Sequence, residues 1–116
     1  MLVIKKKREI TPKIMNDGKT SGIKFFPAIT AKDGAPGFAM RLFEIDPGGN
    51  TPEHSHSWEH EVFIIGGNGF VLEGNRKIPV EKEDFILVPQ DELHQFIAGD
   101  NGISFICVVP NEGQPD

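Results

Sequence analysis

The chain has 116 residues, 38% of them hydrophobic and 25% charged, which suits one globular domain with a real core and little more. A net charge of −5 argues against a nucleic-acid binder, and no apolar run approaches the roughly 20 residues that cross a bilayer. One cysteine, Cys107, excludes an intramolecular disulfide and a thiolate zinc cluster, and the N-terminus is too short of apolar residues for a signal-peptide core, so the expected location is cytoplasmic.

Residues 1–22 read as an N-terminal strand or arm. Within them "LVIKKKREI" is an apolar-then-basic edge candidate, with Lys5 to Arg8 read as a solvated edge strand protected by charge, and "TPKIMNDGKTSG" reads as loose, turn-rich chain. No window then carries a helical apolar stripe. Short apolar or alternating runs follow instead: Ile23 to Thr30, Phe38 to Ile45, His60 to Gly66, Gly69 to Gly74, Asp84 to Pro89, His94 to Ala98 and Ile103 to Pro110. Between them lie "KDGAPG", "DPGG", "GGNG", "EGN" and "GDNG", whose Gly, Asn and Pro residues suit tight reversals. Gly66-Gly67-Asn68-Gly69 and Gly74-Asn75 both read as hairpin turns. Residues 111–116 read as a loose tail. The pattern predicts a single all-β domain over 1–116 with few unpaired edges.

All four histidines fall in two places: His54, His56 and His60 in "EHSHSWEHE", and His94 at the start of a later run. On a strand, alternate residues share a face, so His54 and His56 point the same way roughly 7 Å apart. His60 begins the next run and His94 sits where a neighbouring strand could close the set. A polar loop rich in imidazole would show the same letters. The hydrophobic run that follows His60 must be buried, and that favours a metal site.

The flanking residues carry a resemblance. From Gly48 to Gly67 the chain runs G-x5-H-x-H-x3-H-x6-G, and this resembles the first motif of the cupins, with His60 where the family usually has Glu. Choosing Glu61 as the ligand would put Asn68 where the closing glycine belongs. Residues 83–98 resemble the second motif: Pro89 and His94 keep their places, while Glu83 and Asp91 stand for its glycines and Ala98 for its asparagine. Asp91 tolerates the turn conformation that glycine supplies. The resemblance implies a double-stranded β-helix and one divalent metal per chain held by His54, His56, His60 and His94.

Four neutral imidazoles would leave the full charge on the ion, making it a stronger Lewis acid and a better magnet for anions. An open site favours Mn or Fe, with Ni, Cu and Zn as alternatives. Phe96 shares a face with His94 and is a candidate pocket wall. Strand alternation puts Phe38, Met40 and Leu42 on one face, and Phe105, Cys107 and Val109 on another. Cys107 reads either as a redox-sensitive neighbour of the metal or as a small buried hydrophobe; Arg41 reads either as a carboxylate-binding group or as an outward residue. Glu53, Glu59 and Glu61 are placed to orient ring N–H groups, and no residue stands out as a catalytic nucleophile. The expected function is an oxygenase-type enzyme on a small organic substrate with O2. The alternatives are a non-catalytic ligand or metal sensor, and a metal-dependent decarboxylase or isomerase. A homodimer is expected, with neither nucleic-acid nor membrane partners.

Overall fold

The computed structural model describes residues 1–114. Seven strands account for most of them: β1 Lys13–Met15, β2 Ser21–Ile29, β3 Phe38–Asn50, β4 His60–Glu73, β5 Arg76–Glu81, β6 Phe85–Val88 and β7 His94–Pro110. The helical segments among the described residues are three-residue 3-10 turns at Lys7–Glu9, Ala31–Asp33 and Asn111–Gly113. All pairings are antiparallel, in the order β1-β2-β3-β7-β4-β5 with β6 on β4, giving the all-β barrel expected of a double-stranded β-helix. No helix among the described residues is long and apolar enough to cross a membrane.

The long strands β4 and β7 hold the barrel together. Before a bend, Glu61 to Gly67 pair with Val108 to Ile103; after it, Gly69 to Glu73 pair with Ala98 to His94. The register slips on both sides of Gly67, whose φ is +73°, and a Cβ there would collide with the carbonyl oxygen of Gly102. The segment Gly66 to Gly69 is therefore a bulge that lets two strands touch as they bend, and the hairpin expected at this place is not formed. Glycine's backbone freedom suits both features, so composition alone does not separate them. The turn at Gly74-Asn75 does join a hairpin, with Glu73 opposite Arg76. Pro79 is accommodated on β5 because that strand pairs on one side alone.

The interior is filled by Ile23, Ala39, Ile45, Val62, Ile64, Phe96, Ile103, Phe105, Cys107 and Val109, among others. On β7 the face Phe105-Cys107-Val109 points inward, each at most 2% exposed. On β3 the expected face is reversed. Phe38 and Met40 point to solvent at 68% and 39% exposure, while Ala39, Arg41 and Ile45 are buried. "FAMRLFEI" is apolar on both faces, so nothing in it fixed the register, and a one-residue slip exchanges the sides. Met40 is therefore no part of a pocket.

Both chain ends differ from expectation. Lys5 to Arg8 form no strand; Lys5 pairs with Asp33 at 3.1 Å, and Lys7 pairs with Glu44 at 2.7 Å and lies over the Phe26 ring. The segment expected to be loose contributes β1, which pairs with β2. Asn111 to Gln114 are packed rather than loose: Gly113 is buried, and a Cβ on it would strike the Trp58 ring. Positions 115 and 116 of the expected tail lie outside the described residues.

Candidate metal centre

The histidine-rich segment between β3 and β4 is not a strand, yet it stays extended. A two-bond bridge holds it to β7: His54 N–H donates to His94 O at 3.1 Å and His94 N–H to His54 O at 3.0 Å. The Asp91 N–H donates to His56 O at 2.8 Å, and the Gln90 side-chain amide to Ser57 O at 2.8 Å. Alternation survives in this frame. Glu53, Ser55, Ser57 and Glu59 are exposed, while His54, His56, Trp58 and His60 turn inward.

The ring nitrogens of His54, His56 and His94 come within 4.8 Å of one another. A divalent ion bound at about 2.1 Å spaces neighbouring donors by roughly 3.0–3.5 Å, so small ring movements complete its coordination. His56 Nδ1 lies 2.8 Å from Trp58 O and His94 Nδ1 lies 2.8 Å from Glu92 O. A carbonyl only accepts, so both rings carry their proton on Nδ1 and present an Nε2 lone pair to the centre. Trp58 also stacks flat on His56, with centroids 4.7 Å apart and planes 4° from parallel. This is a donor set that fits a borderline transition-metal ion.

His60, buried at 8% exposure, belongs to the same cluster of rings but is not one of those three. Its centroid is 4.3 Å from that of His56 and 5.4 Å from that of His94. Its Nε2 meets His56 Nε2 at hydrogen-bond distance, and its Nδ1 lies 2.7 Å from Cys107 Sγ. Two lone pairs do not face each other so closely, and His56 keeps its proton on Nδ1, so His60 carries its proton on Nε2 and donates it to His56 Nε2.

Burial dominates the electrostatics. It lowers the pKa of His60 to about 3, helped by His56 and Arg41, and that of His54 to about 4, helped by His94 and His56. Burial lowers His94 as well, against a hydrogen bond to Glu92 that raises it. Burial raises the Cys107 thiol, opposed by Arg41. These three histidines are therefore neutral at pH 7, the form that binds metals.

The cluster opens into a cavity of about 510 Å³ walled by Ile23, Phe25, Phe43, Phe96, Phe105 and Met15, with Arg41 and Cys107 also on its surface. Phe96, Phe105, Phe43 and Phe25 form a chain of ring contacts at 4.7, 5.1 and 5.0 Å. Phe96 is 4% exposed and lies beside His94. Glu61 is exposed and paired between β6 and β7, and none of Glu53, Glu59 and Glu61 hydrogen-bonds a histidine ring among the described residues. The expected orienting carboxylates are replaced by main-chain carbonyls, which a sequence does not advertise. Thr51, which the sequence reading missed, also lines the cavity, and its Oγ1 accepts from Phe96 N–H at 2.8 Å. Its signal was a small polar residue at the entry to the histidine segment.

A family model described as a cupin domain matches residues 41–109, more than half of the chain. This protein is a cupin. Among the described residues, the positive-φ positions other than glycine are Glu83 and Asp91, where the second cupin motif has glycine. The cupin is 34% identical over 74 residues to the 1-methylthio-D-xylulose 5-phosphate methylsulfurylase of Rhodospirillum rubrum. That alignment takes in 63% of this chain but 47% of the enzyme, so the chain spans about half of that relative. Among solved structures, the polyketide cyclase RemF from Streptomyces resistomycificus superposes with a TM-score of 0.87 at 27% identity, over 96% of this cupin and 80% of RemF. A predicted oxalate decarboxylase from Thermotoga maritima gives a TM-score of 0.80 at 20% identity, over 93% and 98% of the two chains, a likeness of fold alone.

Proposed function

We propose that this cupin is a metal-dependent enzyme of oxygenase type acting on a small apolar organic substrate, with Mn or Fe held by His54, His56, His94 and, as fourth ligand, His60. The observation that carries the reading is the meeting of an imidazole cluster with an aromatic-walled cavity of about 510 Å³. The closeness of the His60 ring to the cluster, with its centroid 4.3 Å from that of His56 and 5.4 Å from that of His94, supports the fourth ligand. A bound ion would supply Lewis acidity and redox capacity. The protein's own residues hold the rings in the ligating tautomer and wall off water with phenylalanines, and no carboxylate of the described residues lines the cavity.

That lack of a lining carboxylate among the described residues also favours a second reading, a non-catalytic binder or sensor, because beyond the histidines the titratable side chains at hand are Lys13, Arg41 and Cys107. The names of the relatives, a methylsulfurylase and a polyketide cyclase, favour a third, an O2-independent metal-dependent reaction such as decarboxylation or isomerisation. The dimer expected from sequence stays a proposal, supported by the exposure of Met1, Leu2, Val3 and Ile4, with light scattering as its check.

The test begins with elemental analysis of protein purified without an affinity tag. About one metal per chain is expected, with loss in H54A, H56A, H94A and H60A; retention in H60A alone would leave three histidines as the site. O2 uptake is then measured for Mn, Fe and Cu forms with aromatic alkenes, diketones and small thiols. No uptake by any form would overturn the oxygenase reading, and turnover without O2 would install the third.

A further inference from the structure

Arg41 is a charged residue at 7% exposure on the wall of the apolar cavity. Its position opposite Cys107 on β7 and the reversed face of β3 put it inside the barrel. Its acceptors among the described residues are neutral: Nη1 donates to Gly113 O at 3.4 Å and to Gln114 Oε1 at 3.0 Å, and Nη2 to Cys107 Sγ at 3.4 Å. The guanidinium carbon lies 5.6 Å from the ring centroids of both Phe25 and Phe43. Nε is buried without a hydrogen-bond partner. The ion pairs among the described residues are Lys5–Asp33, Lys7–Glu44 and Arg76–Glu73, so no carboxylate of those residues neutralises Arg41.

A buried charge is costly unless it is paired, and neutral acceptors satisfy it poorly. Holding the Gly113 turn needs only a neutral hydrogen-bond donor, so that task does not account for a guanidinium. The Nε/Nη2 edge is the one short of acceptors, with one unpartnered N–H and one weak sulfur acceptor. That edge matches the two oxygens of a carboxylate. We propose that Arg41 is the substrate's anion anchor, and that the cavity takes an aromatic or similarly apolar carboxylic acid, its carboxylate on Arg41 and its body along Phe25, Phe43 and Phe105. The inference names the substrate class for the function proposed above, and it rests on that reading for the claim that the ligand is a substrate.

Binding to metal-free full-length protein isolates Arg41 from any ion. Calorimetric titration compares benzoate, its neutral isostere benzamide and inorganic phosphate against wild type, R41M and R41K. Wild type should prefer benzoate over benzamide by at least about tenfold, the scale of a charge-assisted hydrogen-bonded pair. R41M should abolish that preference, with benzoate losing far more affinity than benzamide. R41K, the control should R41M fail to fold, keeps the charge without the fork and should weaken benzoate about fivefold or more. Equal binding of benzoate and benzamide by wild type, survival of the preference in R41M, or no benzoate binding to either metal-free or zinc-loaded protein would each overturn the proposal. Phosphate competing as well as benzoate would overturn the carboxylic-acid class. A preference seen in protein that takes up no metal would uphold the anchor while removing the metal reading.

Discussion

Replacing Glu83 by glycine should stabilise this protein. Glu83 is exposed, with φ at +76°, in the turn between β5 and β6 that is closed by Asp84 N–H donating to Glu81 O at 3.1 Å. Its own N–H donates to Ile64 O at 2.8 Å, so the backbone is pinned in the strained region. A side chain there costs about 1–2 kcal/mol. Glycine removes that cost but gives back about 0.5–1 kcal/mol in unfolded-state entropy, for a net gain of roughly 0.5–1 kcal/mol. For a chain of this size the melting temperature should rise by about 2–4 °C. Asp91, at φ +62°, should gain less from the same change, because aspartate visits this region more readily. Lys82, whose φ is not positive, should lose stability when made glycine. Urea denaturation with an unchanged m-value is the assay. A destabilised E83G, or a gain in K82G equal to that in E83G, would refute both the strain argument and the assignment of Glu83 to the motif's glycine position.

Two more predictions concern the cluster. With an ion on its Nε2, His60 carries its proton on Nδ1, facing Cys107 Sγ at 2.7 Å, so C107A should lower metal affinity about 10–100-fold in a competition titration; unchanged affinity would count against His60 as a ligand. Metal-free protein should also lose stability on acidification. His54, His60 and His94 titrate below their unfolded value of about 6.5, so the unfolded chain takes up protons that the fold refuses. Stability is complete above about pH 6.5 and falls toward about pH 4, with buried His60 alone contributing roughly 2 kcal/mol by about pH 4.5. Urea midpoints in the presence of chelator, flat or rising across that window, would contradict it.

The strands were legible because apolar runs bounded by Gly and Pro have few other fates in a chain without helical periodicity. The spacing of His54, His56 and His60 against Gly48 and Gly67 located the histidine cluster, because turn glycines and clustered side chains sit at fixed distances in one supersecondary unit. Three features were hidden, each for a physical reason. Gly66 to Gly69 serve strand contact rather than reversal, and a glycine looks alike in both uses. The face of β3 was ambiguous because both sides of it are apolar, which concealed that Arg41 rather than Met40 points inward. The groups that orient His56 and His94 are carbonyls, and every residue has one.

The main-chain bridge between His54 and His94 spans forty positions of sequence, and the whole of β4, β5 and β6 lies between its ends. During synthesis the ribosome releases His54, His56 and His60 well before His94, so the growing chain holds only the first part of the proposed donor set until β7 has emerged and docked. Tight cation capture would therefore mark completion of the barrel, and a cell could load this protein only after it has folded.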